Sequence, residues 1–288
     1  MTQPNIHLFH IGYSQETAMA CSPGFELMDN RCNERPDWYE YWPIRKFLLN
    51  AALDDDAYYG FLSPRFKSKT NLDAAQVRTF IESQAGEDID AFLFSAQPDV
   101  GMFFENVFVG GEQFNPGFLS VSQAVLTESG WGGDLAAVVM DSRTTVFSNY
   151  VVARPAFWRN WLRICECVFL LAEDSQLRPQ LHSQLNAKTS YGAEAQRKIF
   201  VIEGIASLLL TIGGYKSRAF SPFAVPWFSL FSPFRAEALV ADALKIAFRE
   251  TGRQEYLAHF RRLQAQVLSD AIRARIDNVA PDCRATTA

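Results

Sequence analysis

The feature that most constrains the fold of this chain is a regular alternation of short apolar runs with longer amphipathic stretches. Strands are predicted over residues 6–11, 58–62, 89–95, 135–140 and 149–153, and helices over 38–53, 71–83, 100–109, 115–129, 156–173 and 194–212. This alternation predicts an α/β fold with a largely parallel sheet flanked by helices. Ligands of such sheets bind beyond the carboxyl ends of the strands, here the loops after residues 11, 62, 95 and 140.

The last part of the chain has a different pattern and predicts a separate helical unit. Residues 222–234 are rich in proline and aromatic residues, and two helices are predicted over 236–249 and 254–276. We therefore divide the chain into a catalytic or binding domain at 1–220 and a helical C-terminal subdomain at 221–288. The rings of 222–234 are either packed core or a peripheral membrane contact.

Charge and composition exclude several classes of protein. The net charge is −5 and no nucleic-acid signature is present, so we expect no nucleic-acid partner. The five cysteines suggest no disulfide framework, and no apolar run reaches the ~18 residues of a membrane span, so we expect a cytoplasmic protein. Glycine-rich dinucleotide, phosphate-loop and nucleophile-elbow motifs are absent from the sequence.

Residues 29–45 combine acids, amides, arginines and large aromatic rings in one short span. Burying so many polar groups without partners costs about 1–3 kcal/mol each, which argues against ordinary core. The same groups suit a sugar or nucleotide, since carboxylates and amides bind hydroxyls, rings stack and arginines bind phosphate. The alternative is a loop held by its own salt bridges and buried rings.

Several other polar groups are candidates for a site. The loop 63–70 follows a strand and carries three cations, which suit a diphosphate unless the loop is simply a basic surface. Asp99 and Asp141 are predicted just past strand ends, where each is a metal or sugar ligand or else a cap. The acid-x-acid patterns at 54–56 and 88–90 precede strands and so are expected at the wrong edge for a Mg²⁺ or Mn²⁺ site.

Glu203 lies inside an otherwise apolar helical stretch, where a lone carboxylate is costly unless it is paired or functional. Burial would raise its pKa toward the range of a general base. The alternative is a salt bridge to Arg197, Lys198 or another arginine.

Taken in order, these segments resemble the bacterial glycosyltransferases of polysaccharide assembly that have a nucleotide-diphospho-sugar transferase (GT-A) core. The resemblance covers most of residues 5–215 and rests on 6–13, the polar residues of 29–34, Glu40 before an aromatic helix, 58–66, 149–153 before Phe157 and Trp158, and the helix around Glu203. It implies a mixed sheet, a nucleotide-sugar donor and a glycan or lipid-linked acceptor. The chain lacks the acid-x-acid pair that is common after a middle strand of this core. The resemblance therefore leaves it open whether Mn²⁺ or Mg²⁺ is a cofactor.

The resemblance also implies roles for individual residues. Tyr13 would lie near the nucleotide base, and Glu203 would act as the catalytic base toward the acceptor hydroxyl. Apart from the resemblance, Asp141 is a second catalytic candidate from its own place in the sequence. The donor-binding candidates are Tyr13, Asp29, Asn30, Asn33, Asp37, Glu40, Arg45, Ser63, Arg65 and Lys69, with Arg45, Arg65 and Lys69 near the diphosphate. The acceptor-binding candidates are Asp99, Asn149 and Tyr150.

The first hypothesis for function is therefore a glycosyltransferase of surface polysaccharide synthesis at the cytoplasmic side. The second is a protein that binds a glycan or nucleotide without turnover. The third is a scaffold that touches the membrane through residues 222–234.

Overall fold

The computed structural model describes residues 4–84, 87–190, 195–228 and 230–279, with side chains described as far as Arg273. Within these residues one sheet has six strands, which are β1 (Ile6–Gly12), β2 (Glu26–Asp29), β3 (Tyr58–Leu62), β4 (Ala91–Leu93), β5 (Val151–Ala153) and β6 (Ser217–Ala219). Their order is β2-β1-β3-β5-β4-β6. All pairs are parallel except those of β5, which runs antiparallel to both neighbours. The predicted α/β fold with a mixed, largely parallel sheet is confirmed.

The reversed direction of β5 decides which loops meet. The last residues of β1, β3 and β4, which are Gly12, Leu62 and Leu93, lie at the same sheet edge as Val151, the first residue of β5. We call this the carboxyl edge. The segment before β5 therefore joins the loops that follow the parallel strands, although a segment before a parallel strand would lie at the opposite edge.

Helices surround the sheet and also form the C-terminal part of the chain. In the described residues they are α1 (Gln15–Met19), α2 (Tyr41–Asn50), α3 (Phe66–Thr70), α4 (Ala74–Glu82), α5 (Pro98–Met102), α6 (Val107–Phe114), α7 (Phe118–Glu128), α8 (Pro155–Glu173), α9 (Pro179–Leu185), α10 (Arg197–Ile212), α11 (Arg235–Thr251) and α12 (Gln254–Val279). Cys283, Glu194 and Ser229, which belong to segments discussed above, lie outside the described residues.

Two predicted elements near the middle of the chain are wrong, and Asn106 supplies the physical reason for both. Its amide nitrogen donates to the carbonyls of Leu135 and Val138 at 2.8 and 2.7 Å, so the predicted strand 135–140 is a turn bound by a side chain. Its amide oxygen accepts from the N–H groups of Phe108 and Val109, which starts α6 there and splits the predicted helix 100–109. As a result, residue 140 ends no strand.

The main hydrophobic core lies between the sheet and the helices α4, α8 and α10. Strand β3 is buried along its whole length, and Gly60 lets β5 approach it closely. A Cβ atom at Gly60 would lie 2.7 Å from Cγ2 of Val152 and 3.3 Å from Cδ2 of Leu8. Close packing therefore explains this glycine in the centre of the sheet.

A second core cluster joins the C-terminal helices to the segment around α5. Phe231 is fully buried against Phe103, with ring centroids 5.0 Å apart. The buried ammonium of Lys245 on α11 donates to the carbonyls of Gly101 and Phe104 at 2.6 and 2.9 Å. The other rings of 222–234 are partly buried against this cluster. The domain boundary after residue 220 and the membrane contact of 222–234 stay predictions.

The close approach at Gly60 gives a prediction for stability. Gly60→Ala adds a methyl group to a packed sheet and should lower the free energy of unfolding by about 1–3 kcal/mol, measured by urea unfolding. The matched control is Gly132→Ala, where a Cβ meets no atom within 4 Å. Equal stability of the two variants would contradict the packing argument.

Candidate functional site

Side chains from five separate segments meet at the carboxyl edge of the sheet. Tyr13 follows β1, Glu40 precedes α2, Lys69 lies on α3 after β3, Tyr150 precedes β5, and Glu203 comes from α10. Their ionisable groups influence one another, which requires them to be close. We call these five residues the edge cluster. All five were predicted from the sequence as site residues, and the structure brings them together.

The loops after β3 and before β5 hold each other in place at this edge. The Nζ atom of Lys69 donates to Oγ of Ser148 at 2.9 Å and lies 5.8 Å from the ring centre of Tyr150. The hydroxyls of Ser63 and Tyr150 are 2.7 Å apart and hydrogen-bonded. Lys69 is thus a positioned cation and not a mobile surface lysine.

The backbone before β5 adopts a rare conformation. Ser148 and Asn149 are consecutive non-glycine residues with positive φ angles of 62° and 52°. Each such residue costs of the order of 1 kcal/mol, and strained residues of this kind concentrate at functional sites. The backbone N–H of Ser148 acts to lower the pKa of Glu203.

The surroundings of Glu203 change the acidity of its carboxyl group. Burial and the nearby Glu40 carboxylate raise its pKa to about 7, against the opposing effects of Lys69 and the Ser148 backbone N–H. The alternative of a salt bridge along its own helix is not observed, since Lys198 pairs with Asp37 and Arg197 donates to Asn115 and to backbone carbonyls. A half-buried carboxyl with a pKa near 7 is suited to general-base catalysis.

Glu40 is the second carboxylate of the edge cluster. It follows Tyr39, which has a φ of 45°, and it is the N-cap residue directly before α2. Burial raises the pKa of Glu40, while Lys69, Arg65 and the Tyr13 hydroxyl act in the opposite direction. The Tyr13 hydroxyl lies against Glu40 but beyond hydrogen-bond geometry, and burial together with Glu40 raises the pKa of Tyr13.

Two buried asparagines at the same edge have polar atoms without partners. Asn30 follows β2, its side chain is buried, and its Nδ2 atom has no acceptor among the described residues. Asn149 precedes β5, is buried, and has an unpartnered Oδ1 atom. A buried polar group without a hydrogen bond costs about 1–3 kcal/mol, so ordered water or a ligand completes such groups.

An open groove of 570 Å³ lies at the outer end of this edge and is lined by Ser14, Gln15, Asp29, Arg31 and Cys32. Arg31 donates to both carboxylate oxygens of Asp29 and to Gln15, and this pairing lowers the pKa of Asp29 to about 2. The residues that line the groove are the sequence neighbours of Tyr13 and Asn30. Asp29, the last residue of β2, lines the groove, and Asn33 belongs to the turn after β2.

Two predicted donor-binding residues serve to hold segment 29–45 onto the helices. Asp37 pairs with Arg35 and with the buried Lys198 at 3.1 and 2.8 Å. Arg45 donates to both oxygens of Glu166 on α8, at 2.6 and 2.8 Å. Their charges are already satisfied within the protein. The alternative interpretation, a segment held by salt bridges and buried rings, therefore describes residues 35–45 apart from Glu40.

The predicted position of Asp141 just past a strand end is wrong, whereas Asp99 lies after β4, in the first turn of α5. Asp99 lies inside α5, is fully buried and accepts the backbone N–H of Phe228. Asp141 is fully buried and pairs with Arg143 and Arg249 at 2.7 and 2.8 Å. Both acids join the C-terminal segment to the rest of the chain, and neither is among the groups that influence Glu203.

The acid-x-acid patterns lie where the sequence predicted, ahead of β3 and β4 and so opposite the carboxyl edge. Asp55 pairs with Arg159, and Asp88 pairs with Arg154 and Lys216. Among the described residues no group of three or more acidic, histidine or cysteine side chains could hold a metal ion.

Sequence reasoning missed the two residues that fix the site in space. From the sequence, the polar residues 148–150 before β5 suit sugar hydroxyls or form a simple turn, but the role of Ser148 as the partner of Lys69 depends on the reversed direction of β5. Lys198 was considered only as a partner for Glu203. A lysine in an apolar helix five residues before a glutamate is the signal that points to a buried ion pair with another segment.

Comparison of the chain with family models, curated proteins and solved structures returned no match. The described part of the chain has no helix that is both long and apolar enough to cross a membrane.

The raised pKa of Glu203 predicts a specific pH dependence of stability. Its ordinary pKa is 4.5 and its folded value about 7, so between these pH values the folded state keeps a proton that the unfolded state loses. The free energy of unfolding therefore falls as the pH rises from about 4.5 to 7. Glu203→Gln removes this titration and should be about 3 kcal/mol more stable than wild type at pH 8, with little difference near pH 4.5.

Urea unfolding at pH 5 and pH 8 measures this difference. Glu82→Gln, an exposed carboxylate at the end of α4, is the matched control and should follow wild type at both pH values. If Glu203→Gln has wild-type stability at pH 8, the carboxylate of Glu203 is not destabilised by its surroundings.

Proposed function

We propose that this protein is a glycosyltransferase that moves a sugar from a nucleotide-sugar donor to a hydroxyl of a glycan or lipid-linked acceptor in surface polysaccharide synthesis, on the cytoplasmic side. The observation that carries the proposal is the edge cluster. It combines a carboxyl with a pKa near 7 and a positioned cation at the edge where α/β sheets bind ligands. The mixed, largely parallel sheet agrees with the GT-A core that the sequence resembles.

In the proposed reaction Glu203 accepts the proton of the acceptor hydroxyl. The hydroxyl oxygen attacks the anomeric carbon of the donor, and the bond from that carbon to the diphosphate oxygen breaks with its electron pair leaving on the diphosphate. Lys69 and Arg65 stabilise the negative charge that develops on the leaving group. Preorganised charges of this kind act strongly because they need no rearrangement as the reaction proceeds.

The remaining groups fit the other parts of such a donor. The groove beside Tyr13 and Asn30 has room for the nucleoside, and the unpartnered amide of Asn30 suits a hydroxyl of the ribose. A Mn²⁺ or Mg²⁺ ion has a poor fit to the described residues, since the acid-x-acid patterns lie at the opposite edge and are paired with arginine and lysine. We therefore assign the stabilisation of the negative charge on the leaving diphosphate to Lys69 and Arg65.

Turnover by a Glu203 variant tests the mechanism. Glu203→Gln keeps the shape of the side chain but cannot accept the proton, so turnover should fall at least about a hundredfold while donor binding is retained. Glu82→Gln should have wild-type turnover. Donor binding is measured by thermal shift with a panel of nucleoside diphosphates and nucleotide sugars, with and without Mn²⁺.

The panel also separates this proposal from its rivals. A selective shift with one nucleotide and measurable transfer support the transferase. A selective shift without turnover in any acceptor assay favours a binding protein, and no shift with any nucleotide contradicts the proposal. Turnover of Glu203→Gln at the wild-type rate removes Glu203 from the mechanism.

The role of Lys69 gives a second test that needs no acceptor. Lys69→Met removes the cation and should weaken binding of the free nucleoside diphosphate about 10- to 100-fold, as expected for a hydrogen bond to a charged group. Lys67→Met is the matched control, because Lys67 lies on the same short helix and its side chain is exposed. Equal binding by the two variants would contradict the assignment, and isothermal titration calorimetry supplies the measurement.

A further inference from the structure

Side chains of α10 hold the segment before β5 at two consecutive points. The hydroxyl of Ser207 accepts the backbone N–H of Val146 at 2.9 Å and donates to the carbonyl of the same residue at 3.0 Å. The hydroxyls of Thr211 and Thr144 are 2.9 Å apart and hydrogen-bonded. Ser207 and Val146 are fully buried, so water does not compete for the two hydrogen bonds between them.

These two contacts define a register between the helix and the segment. Ser207 and Thr211 lie one helical turn apart on the same face of α10, while their partners Val146 and Thr144 are two residues apart. Four residues of helix rise about 6 Å. Two residues of chain reach at most about 7 Å, so the two steps match. The segment therefore runs antiparallel to α10, with one contact for each helical turn.

The next step of the same register brings Glu203 to Ser148. Glu203 lies one turn before Ser207 on the same face of α10, and Ser148 lies two residues after Val146. The effect of the Ser148 backbone N–H on the pKa of Glu203 agrees with this placement. Hydrogen bonds that do not involve the carboxylate therefore decide which part of the segment faces Glu203.

The turn at Ser148 also carries the partner of the cation. Oγ of Ser148 accepts a hydrogen bond from Nζ of Lys69 at 2.9 Å, and the adjacent Asn149 is buried with an unpartnered Oδ1 atom. Both residues of the turn have positive φ angles. Such conformations persist only where the surrounding structure holds them, and Ser207 holds the chain two residues before the turn.

We propose that Ser207 is a positioning residue of the site, whose two hydrogen bonds to Val146 fix the register between α10 and the segment before β5. That register keeps the catalytic base, Glu203, at the turn that binds Lys69. The inference rests on the proposed function, which gives the base and the cation their roles. Ser207 itself contacts neither substrate nor reacting atoms and acts only through the segment.

The first test removes the hydroxyl of Ser207 and measures binding of the nucleoside diphosphate that the thermal-shift panel selects, by isothermal titration calorimetry. Ser207→Ala should weaken this binding about tenfold, because Lys69 loses the partner that holds it in place. Ser122→Ala is the matched control. Ser122 is equally buried, on α7, and its hydroxyl donates to the carbonyl of Phe118 within its own helix. The control should bind the diphosphate like wild type.

A double-mutant cycle distinguishes positioning from a general effect on the fold. In a protein that already carries Lys69→Met, Ser207→Ala should have no further effect on the affinity for the diphosphate, because the group that Ser207 helps to position is absent. Urea unfolding of each variant establishes that the titrated protein is folded.

Amide hydrogen exchange examines the segment without any ligand. Ser207→Ala should speed exchange in a peptide that covers residues 144–150, whereas Ser122→Ala should leave that peptide at the wild-type rate. In a transfer assay, Ser207→Ala should lower kcat about a hundredfold, the effect expected when reacting groups are misplaced by about 1 Å.

The outcomes separate this inference from the proposed function. Wild-type affinity of Ser207→Ala for the diphosphate, losses that simply add in the cycle, or unchanged exchange in residues 144–150 would overturn the positioning role while the transferase proposal stands. Failure of every nucleotide to bind the wild-type protein would contradict the transferase proposal, and the role of Ser207 in its site with it.

Discussion

The ion pair between Lys198 and Asp37 is the interaction on which the geometry of the site depends. The ammonium of Lys198 is almost completely buried, 2.8 Å from Oδ2 of Asp37, 3.1 Å from Oδ1 of Asn186 and 4.2 Å from the ring centre of Trp38. An unpaired ammonium at this depth would be destabilising by several kcal/mol, so the turn at 36–38 has to stay over α10. Since Lys198 and Glu203 share α10, and Glu40 comes shortly after that turn, this pair joins the two segments that carry the carboxylates.

A second set of contacts extends this anchor along the same segment. Arg35 donates to Glu173 and Arg45 to Glu166, both on α8, and the Arg45 guanidinium lies 4.4 Å from the ring centre of Phe169. The acids, arginines and rings of 35–45 that suggested a ligand site from sequence therefore divide into two groups. Most of them fix the segment to the helices, and Glu40 is the one that this fixed segment holds at the carboxyl edge.

The sequence predicted β1, β3 and the long helices α8 and α10 because each is a continuous apolar or amphipathic pattern. It did not predict β2, which carries a single buried residue, Met28, because an edge strand needs little apolar surface. The direction of β5 was also beyond sequence reasoning. A three-residue strand carries no signal for its orientation, which depends on pairing with β3 and β4 far along the chain.

That direction explains which candidate residues meet and which do not. Tyr13 and Lys69 follow parallel strands, and their meeting could be predicted from the rule for such sheets. Tyr150 and Asn149 join them only because β5 is reversed. Asp141 was misplaced for a complementary reason, since its predicted strand proved to be a turn held by Asn106.

The two edges of the sheet differ in how completely their polar groups are satisfied. At the opposite edge, Asp55 and Asp88 each have a cationic partner. At the carboxyl edge, the two glutamates have raised pKa values, the amides of two buried asparagines lack partners, and consecutive residues have left-handed backbone. Each of these features lowers the stability of the protein without a ligand. Their presence together at the edge where α/β sheets bind ligands is expected where ligand binding and not folding determines the residues.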